Sequence, residues 1–262
     1  MPSQQAGVLT VAVLGLGEAG GAIARDLVEA GVAVRGYDPA VSAPPGVIDT
    51  ADEADAATGA DLVLSVNSSK AALGALRAGL AGVETGVWAD LNTASPGLKR
   101  ELAAVAQEAG VRFADVSIMA PIPGRGLRTP LLVSGVAGGL VAELLRPLGA
   151  SVTVIEGEAG LAAERKLLRS VFFKGWAAAV VEALEAARAA GLEEWLRADI
   201  VEELSRADAS TVDRLVEGTH RHAVRRADEM AAATEMLQTL GVEPAIAAAS
   251  RDLLVRLARH AG

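Results

Sequence analysis

The chain has 262 residues, 51% of them apolar, which is length enough for one large domain or two modest ones around a sizeable core. A net charge of −9 argues against a general nucleic-acid or anionic-membrane binder. The absence of cysteine excludes disulfides, thiolate metal sites and cysteine nucleophiles, and the spacing of His220, His222 and His260 resembles no metal site, so no metal is expected.

Aromatic residues make up only 3% of the chain while alanine is abundant, a composition that suits closely packed helices better than an aromatic-rich sandwich. Residues 1–7 read as a short polar arm without the basic and apolar regions of a signal peptide. No apolar run reaches the roughly 18 to 20 residues of a membrane span. A soluble, cytoplasmic protein is the expectation.

Residues 8–14 form an apolar run that predicts a buried strand. It enters Gly15-Leu16-Gly17-Glu18-Ala19-Gly20, a G-x-G-x-x-G turn. Helical spacing follows over 22–30, Gly31 stops it, and 32–37 predicts a second strand that ends on Tyr37 and Asp38. A dinucleotide site needs these parts in this order. The first glycine permits the tight turn, the second lets backbone approach a pyrophosphate, and the third lets helix and strand pack closely. The helix N-terminus then offers free N–H groups and a positive dipole end to the phosphates. An acid about 20 residues on, here Asp38, accepts hydrogen bonds from the adenosine ribose and repels a 2′-phosphate. No Lys or Arg follows Asp38 until Lys70, which favours NAD over NADP. Arg35 is the one nearby cation that reaches a phosphate if its side chain turns that way.

Further strands are predicted at 61–66, 86–90, 111–115, 131–134 and 152–155, with helices at 69–79, 97–109 and 137–147 between them. Such alternation predicts an α/β fold, a Rossmann-type, mostly parallel sheet covered by helices on both faces over 8–156. Ligands then bind at the carboxyl ends of the strands, which carry Asp38, Asn67-Ser68 and Asn92-Thr93. Asn67, Ser68, Asn92 and Thr93 have two readings, as groups set against nicotinamide or substrate and as helix N-caps.

From residue 157 strand patterns vanish. A long helix over 161–190 joins this region to the sheet, Gly191 stops it, and helices follow at 193–206, 209–217, 220–240 and 244–260. The expected second domain, 157–262, is all-helical and serves substrate binding and pairing, so a homodimer through the C-terminal helices is expected.

Lys166, Ser170 and Lys174 recur every fourth residue and share one face of the long helix. They read either as a solvated stripe or as groups aimed at the cofactor cleft. A lysine beside a nicotinamide cation has its pKa lowered toward that of a general base or acid. Arg125 and Arg128 lie in a loop rich in proline and glycine; they suit bidentate pairing with a small anionic substrate, or plain solvation. His220 and His222 have two readings, as a catalytic imidazole and as a helix start with surface charge, of which the second is favoured.

These residues resemble the β-hydroxyacid dehydrogenases, the superfamily of 3-hydroxyisobutyrate and 6-phosphogluconate dehydrogenases. The likeness runs in order over nearly the whole chain. Residues 13–20 look like the family's nucleotide loop. Asp90-Leu91-Asn92-Thr93-Ala94-Ser95-Pro96 is similar to its D-x-S-T-x-x-P segment, with Asn92 for Ser. Residues 115–121 stand where the family has its substrate loop, and Gly157-Glu158-Ala159-Gly160 leads to Lys166, which aligns with its catalytic lysine. The resemblance implies that Lys166 is the general acid or base of an NAD(P)-dependent hydride transfer on a small β-hydroxy acid or the matching aldehyde or keto acid. Ser170 holds the place of the family's substrate-binding Asn. Met119-Ala120-Pro121 replaces the usual S-G-G, so the family's carboxylate contacts do not carry over to Met119. Two rivals stand beside this reading: a dinucleotide-binding protein without turnover, and an imine reductase.

Overall fold

The structure is a computed structural model that describes residues 8–259. The arm at 1–7 and His260 fall outside the described residues. Contact density divides the chain between Arg169 and Ser170 into two compact units.

The first unit alternates strand and helix in the order β1 (Thr10–Leu14), α1 (Glu18–Glu29), β2 (Ala33–Tyr37), β3 (Ile48–Asp49), α2 (Glu53–Ala57), β4 (Leu62–Ser65), α3 (Ala72–Gly79), β5 (Val87–Asp90), α4 (Pro96–Glu108), β6 (Arg112–Ile118), β7 (Leu131–Ser134), α5 (Gly138–Leu145) and β8 (Val152–Val154). One eight-stranded sheet results, ordered β3-β2-β1-β4-β5-β6-β7-β8. Every neighbouring pair is parallel except β6 with β7.

Sheets of this kind are buried on both faces, so their strands are apolar at successive positions rather than at alternate ones. β1 shows this directly. Val11 and Val13 enter a core with Ile23 and Leu27 of α1 and Val141 of α5, whereas Ala12 and Leu14 enter another with Leu76, Trp88 and Leu102. Burial on both sides leaves the strand ends and the loops after them as the places for polar chemistry.

Three differences from the sequence reading have physical reasons. Helix α1 begins at Glu18, inside the glycine motif and a full turn before the expected start, because Gly17 itself is the N-cap. β3 and α2 appear where no element is expected; two and five residues are too short to display a period, and α2 is held by Asp52, whose carboxylate accepts from Asp55 N at 2.7 Å. Strand β6 runs on to Ile118 because antiparallel pairing with β7 gives its last residues a partner.

The second unit holds most of α6 (Leu161–Ala189), then α7 (Glu193–Ser205), α8 (Thr211–Arg221), α9 (Ala223–Thr239) and α10 (Ala245–Arg259). Gly191, at φ +74°, follows the end of α6. Glu182 of α6 accepts from Ile246 N and Ala247 N and so caps α10. The division falls inside α6, past the expected boundary at 156, because the helix's first turn is bonded to the sheet by Asp115 and Ser134. Helix α8 extends to Arg221, so His220 sits in its last turn and His222 at the junction with α9, rather than both opening the next helix. Among the described residues no helix is long and apolar enough to cross a membrane.

Candidate active site

The glycine loop turns between β1 and α1. Gly15 has φ +94°, and a Cβ there would meet Val66 O and Asn67 Oδ1 at 2.5 Å. A Cβ on Gly20 would lie 1.8 Å from Gly15 O. The protein's own packing therefore demands both. It makes no such demand at Gly17, where an added Cβ would meet nothing within 4 Å. Gly17 caps α1 without a side-chain hydrogen bond, and Gly17 and Glu18 are exposed. An open helix N-terminus with bare backbone above it is the shape and polarity a pyrophosphate requires, so these residues fit a dinucleotide. Leu16 is buried and packs its side chain beside Gly36, while Ala19 is half-buried in the first turn.

Tyr37 O accepts from Gly15 N at 2.8 Å, which ties the end of β2 to the turn. Asp38 reinforces the tie: one carboxylate oxygen accepts from Leu16 N at 2.8 Å, and the other from Ala40 N and Val41 N. Arg35 points elsewhere. Its guanidinium pairs with Asp55 at 2.6 Å and donates to the carbonyls of Asp55 and Ala56.

At the end of β4, Asn67 Nδ2 donates to Ser65 Oγ, and Ser68 Oγ accepts from Ala71 N in the turn before α3. Asn92, after β5, is buried and is not a cap; Ser95 performs that task for α4, accepting from Leu98 N. Asn92 Nδ2 instead donates to Ser65 Oγ at 3.1 Å and to Asp90 Oδ1, which leaves its Oδ1 without a hydrogen-bond partner among the described residues. Thr93 is exposed, and its hydroxyl accepts from Lys166 Nζ at 2.9 Å. The sequence-predicted lysine and the loop after β5 are thus brought together inside the first unit. Ser170 and Lys174 follow on α6 within the second unit. Met119, half-buried past the end of β6, extends the antiparallel pairing through Met119 N to Pro130 O. Arg125 lines a shallow cleft with Ala22, Arg25 and Asp26 of α1, where Asp26 accepts from Leu127 N.

One feature of the site escaped the sequence reading. Lys99 of α4 is wholly buried, with Nζ 2.7 Å from Asp90 Oδ2, 2.7 Å from Asp90 O and 3.1 Å from Asp115 Oδ1. Asp115 Oδ2 accepts from Gly160 N and Ala163 N at the start of α6, and Ser134 Oγ accepts from Ala162 N. Burial pushes the Asp90 carboxyl above the ordinary carboxylate range, and the neighbouring Lys99 opposes that rise. The available signal was a lysine at the apolar spacing of its helix, in register with Leu102 and Ala106.

Residues 10–155 match the family described as "NAD binding domain of 6-phosphogluconate dehydrogenase", more than half of the chain. The chain belongs to this family. The glycine loop, Asp38 and the Asn92–Thr93 loop all lie within the matched span of the 6-phosphogluconate-dehydrogenase-type domain. Residues 187–257 match a second family, "Domain of unknown function (DUF1932)". No curated protein sequence matches the chain.

Solved structures of similar fold span nearly its whole length. Conserved protein MTH1747, described as of unknown function with structural similarity to 3-hydroxyacid dehydrogenases, is 28% identical with a TM-score of 0.62, covering 97% of this chain and 100% of its own. An imine reductase of Streptomyces aurantiacus is 22% identical with a TM-score of 0.80, covering 96% and 95%. A reductive aminase of Aspergillus terreus, in complex with NADPH and ethyl levulinate, is 18% identical with a TM-score of 0.79, covering 97% and 94%. The fold is therefore that of NAD(P)-binding dehydrogenases related to 3-hydroxyacid dehydrogenases and imine reductases.

Proposed function

We propose that the protein is an NAD(P)-dependent oxidoreductase that moves hydride between the nicotinamide and a small β-hydroxy acid or the matching aldehyde or keto acid, with Lys166 as general acid and base. The observation that carries this reading is the 2.9 Å bond from Lys166 Nζ to Thr93 Oγ1. It holds the amine of half-buried Lys166 at the loop after β5, on the edge of the sheet where β1 ends in the glycine loop. Gly15, Gly17 and Gly20 would receive the pyrophosphate with the N-terminus of α1, and Asp38 the adenosine ribose. A carboxylate offers about four lone-pair positions, so Asp38 can serve a ribose hydroxyl as well as its present backbone partners. When bound, the nicotinamide supplies or accepts the hydride.

In the oxidative direction neutral Lys166 takes the substrate's hydroxyl proton as the C–H hydride departs and the carbonyl forms. In the reductive direction the ammonium returns that proton. Thr93 orients the amine. Asn92 Oδ1, which has no hydrogen-bond partner among the described residues, would accept from the carboxamide N–H of the cofactor or from a substrate hydroxyl. Arg125 remains a candidate for an anionic substrate group. The preference for NAD rests on the charge of Asp38 and on Arg35, whose guanidinium is committed to α2.

A second reading, reduction of a C=N bond, draws on the likeness to imine reductases over nearly the whole chain, and the same ammonium would protonate the nascent amine. Pairing through the C-terminal helices belongs to the proposal, supported by the apolar side chains exposed on α6, α7 and α8.

Titration of the protein with NADH and with NADPH, read by tryptophan quenching, tests the cofactor assignment, and tight binding of neither overturns it. Assays with β-hydroxy acids and NAD, and with a cyclic imine and NADH or NADPH, separate the two chemistries. Lys166→Ala is expected to lower turnover by about 10²–10⁴-fold with NADH affinity preserved. Wild-type turnover in that variant ends the acid–base assignment.

A further inference from the structure

We propose that Lys99 is a positioning residue for the Lys166–Thr93 pair, acting through two buried carboxylates that each lead to one member of the pair; this rests on the reading of Lys166 given above. Ion pairs, hydrogen bonds and two short stretches of chain form a closed ring. From Lys99 Nζ one arm runs to Asp90, whose Oδ1 accepts from Asn92, the residue next to Thr93. The other runs to Asp115, whose Oδ2 accepts from Gly160 N and Ala163 N, the anchors of the helix turn that precedes Lys166. The arms meet where Lys166 Nζ donates to Thr93 Oγ1. All of these residues lie in the first unit.

Packing alone does not account for an ammonium here. Position 99 faces the same core as Leu102 and Ala106, all three buried, and a leucine there would avoid the desolvation of a charge. An ammonium does what a leucine cannot: it fixes two carboxylates at once and grips the Asp90 carbonyl at 2.7 Å, at the end of β5. It thereby couples the register of the Asn92–Thr93 loop to the seat of α6. Both coordinates of the reacting amine, the helix that carries it and the hydroxyl that orients it, depend on one buried charge.

The test uses the full chain and exploits its composition. With no native cysteine and only four lysines, Lys99→Cys can be aminoethylated during refolding to place a thioether analogue of lysine at position 99 alone. Two signals are read on each form: the ε-methylene NMR resonance of Lys166 in lysine-labelled protein, and kcat for NAD-dependent oxidation of 3-hydroxyisobutyrate beside the dissociation constant for NADH. In Lys99→Cys the Lys166 resonance is expected to move and kcat to fall at least tenfold while NADH affinity changes less than twofold. Aminoethylation is expected to restore both. Leu102→Ala, on the same helix and equally buried, is expected to lose stability but keep kcat within twofold and the resonance in place.

If Lys99→Cys does not fold, Asp115→Asn preserves shape and severs one arm, with the same expected split. An unmoved Lys166 resonance in the folded variants overturns the proposal. So does an equal loss of kcat in Leu102→Ala, or a refolded aminoethylated protein that regains neither signal. A resonance that moves and returns without any change of turnover supports the positioning of Lys166 and refutes its acid–base role, so the two readings fail separately.

Discussion

The two units bury their apolar residues to different degrees. In the first, two large clusters cover both faces of the sheet, and its buried charges, Lys99, Asp90 and Asp115, are paired with one another. In the second, the buried cluster comprises Ala186, Leu237 and Ala247, and no residue of α7 or α8 is buried. Val171, Phe172, Trp195, Val212 and Leu215 are each more than half exposed. Apolar side chains exposed in this number are what the proposed pairing through the C-terminal helices would cover. The first unit carries the parts of a site and closes its own core. The second displays side chains of the kind that cores and subunit interfaces use.

The largest test of that contrast is Lys99→Met. Removing the cation leaves two carboxylates in the core, a change expected to cost about 3–5 kcal/mol at neutral pH. The sign with pH follows from Asp90, whose carboxyl is already raised by burial and rises further without Lys99. A raised carboxyl contributes its full stability below its unfolded value and loses it as pH climbs through the folded one. The deficit relative to wild type is therefore expected to shrink as pH falls toward 4, measured by urea unfolding across that range. A deficit independent of pH breaks the account.

Next comes the glycine pair. Gly20→Ala is expected to lose about 1–3 kcal/mol, because its methyl would collide with the Gly15 carbonyl. Gly17→Ala should stay within about 0.5 kcal/mol of wild type and yet weaken NADH about tenfold. Equal destabilisation by both would mean that the space above Gly17 is not kept for a ligand. In the second unit, Trp195→Glu replaces a side chain 63% exposed and should leave the monomer's fold intact. It should weaken self-association by about 2 kcal/mol, roughly thirtyfold, in light scattering against dilution. A wild type that scatters as a monomer removes the comparison's premise.

The smallest effect lies at the end of α6. The hydrogen bond from the Arg188 guanidinium holds the Glu193 carboxyl down to about 2. A lowered carboxyl stabilises above its unfolded value and loses that contribution as pH falls through the folded one. Glu193→Gln should therefore differ slightly from wild type at pH 7 and converge with it near pH 2. Solvent screening keeps the difference small.

Much of this was readable along the chain. The strand, glycine turn, helix and acid of 8–38 announce the nucleotide site because each part obeys a local rule of geometry. Lys166 was singled out by its place after Gly157-Glu158-Ala159-Gly160, and the fold sets its amine against Thr93; Gly191 was legible through its position at the end of a long helical pattern. The edge strand Ile48–Asp49 and the helix Glu53–Ala57 were not, because neither is long enough to show a period.

What the sequence by itself determined is the order of the longer elements, the glycine turn and the set of polar residues at the strand ends, all products of short-range spacing. What only the tertiary structure decided is which of them meet. Asn92 serves a buried network instead of capping a helix, Asp38 clasps the backbone of the glycine loop, Arg35 turns to α2, and Lys166 reaches Thr93 across 73 positions of chain. Lys99 sits at the apolar spacing of its helix, but only the fold supplies the two carboxylates that meet its charge. The reason is physical: hydrogen bonds and ion pairs form between neighbours in space, and for β4, β5, β6 and α6 those neighbours are assigned by sheet order rather than by distance along the chain.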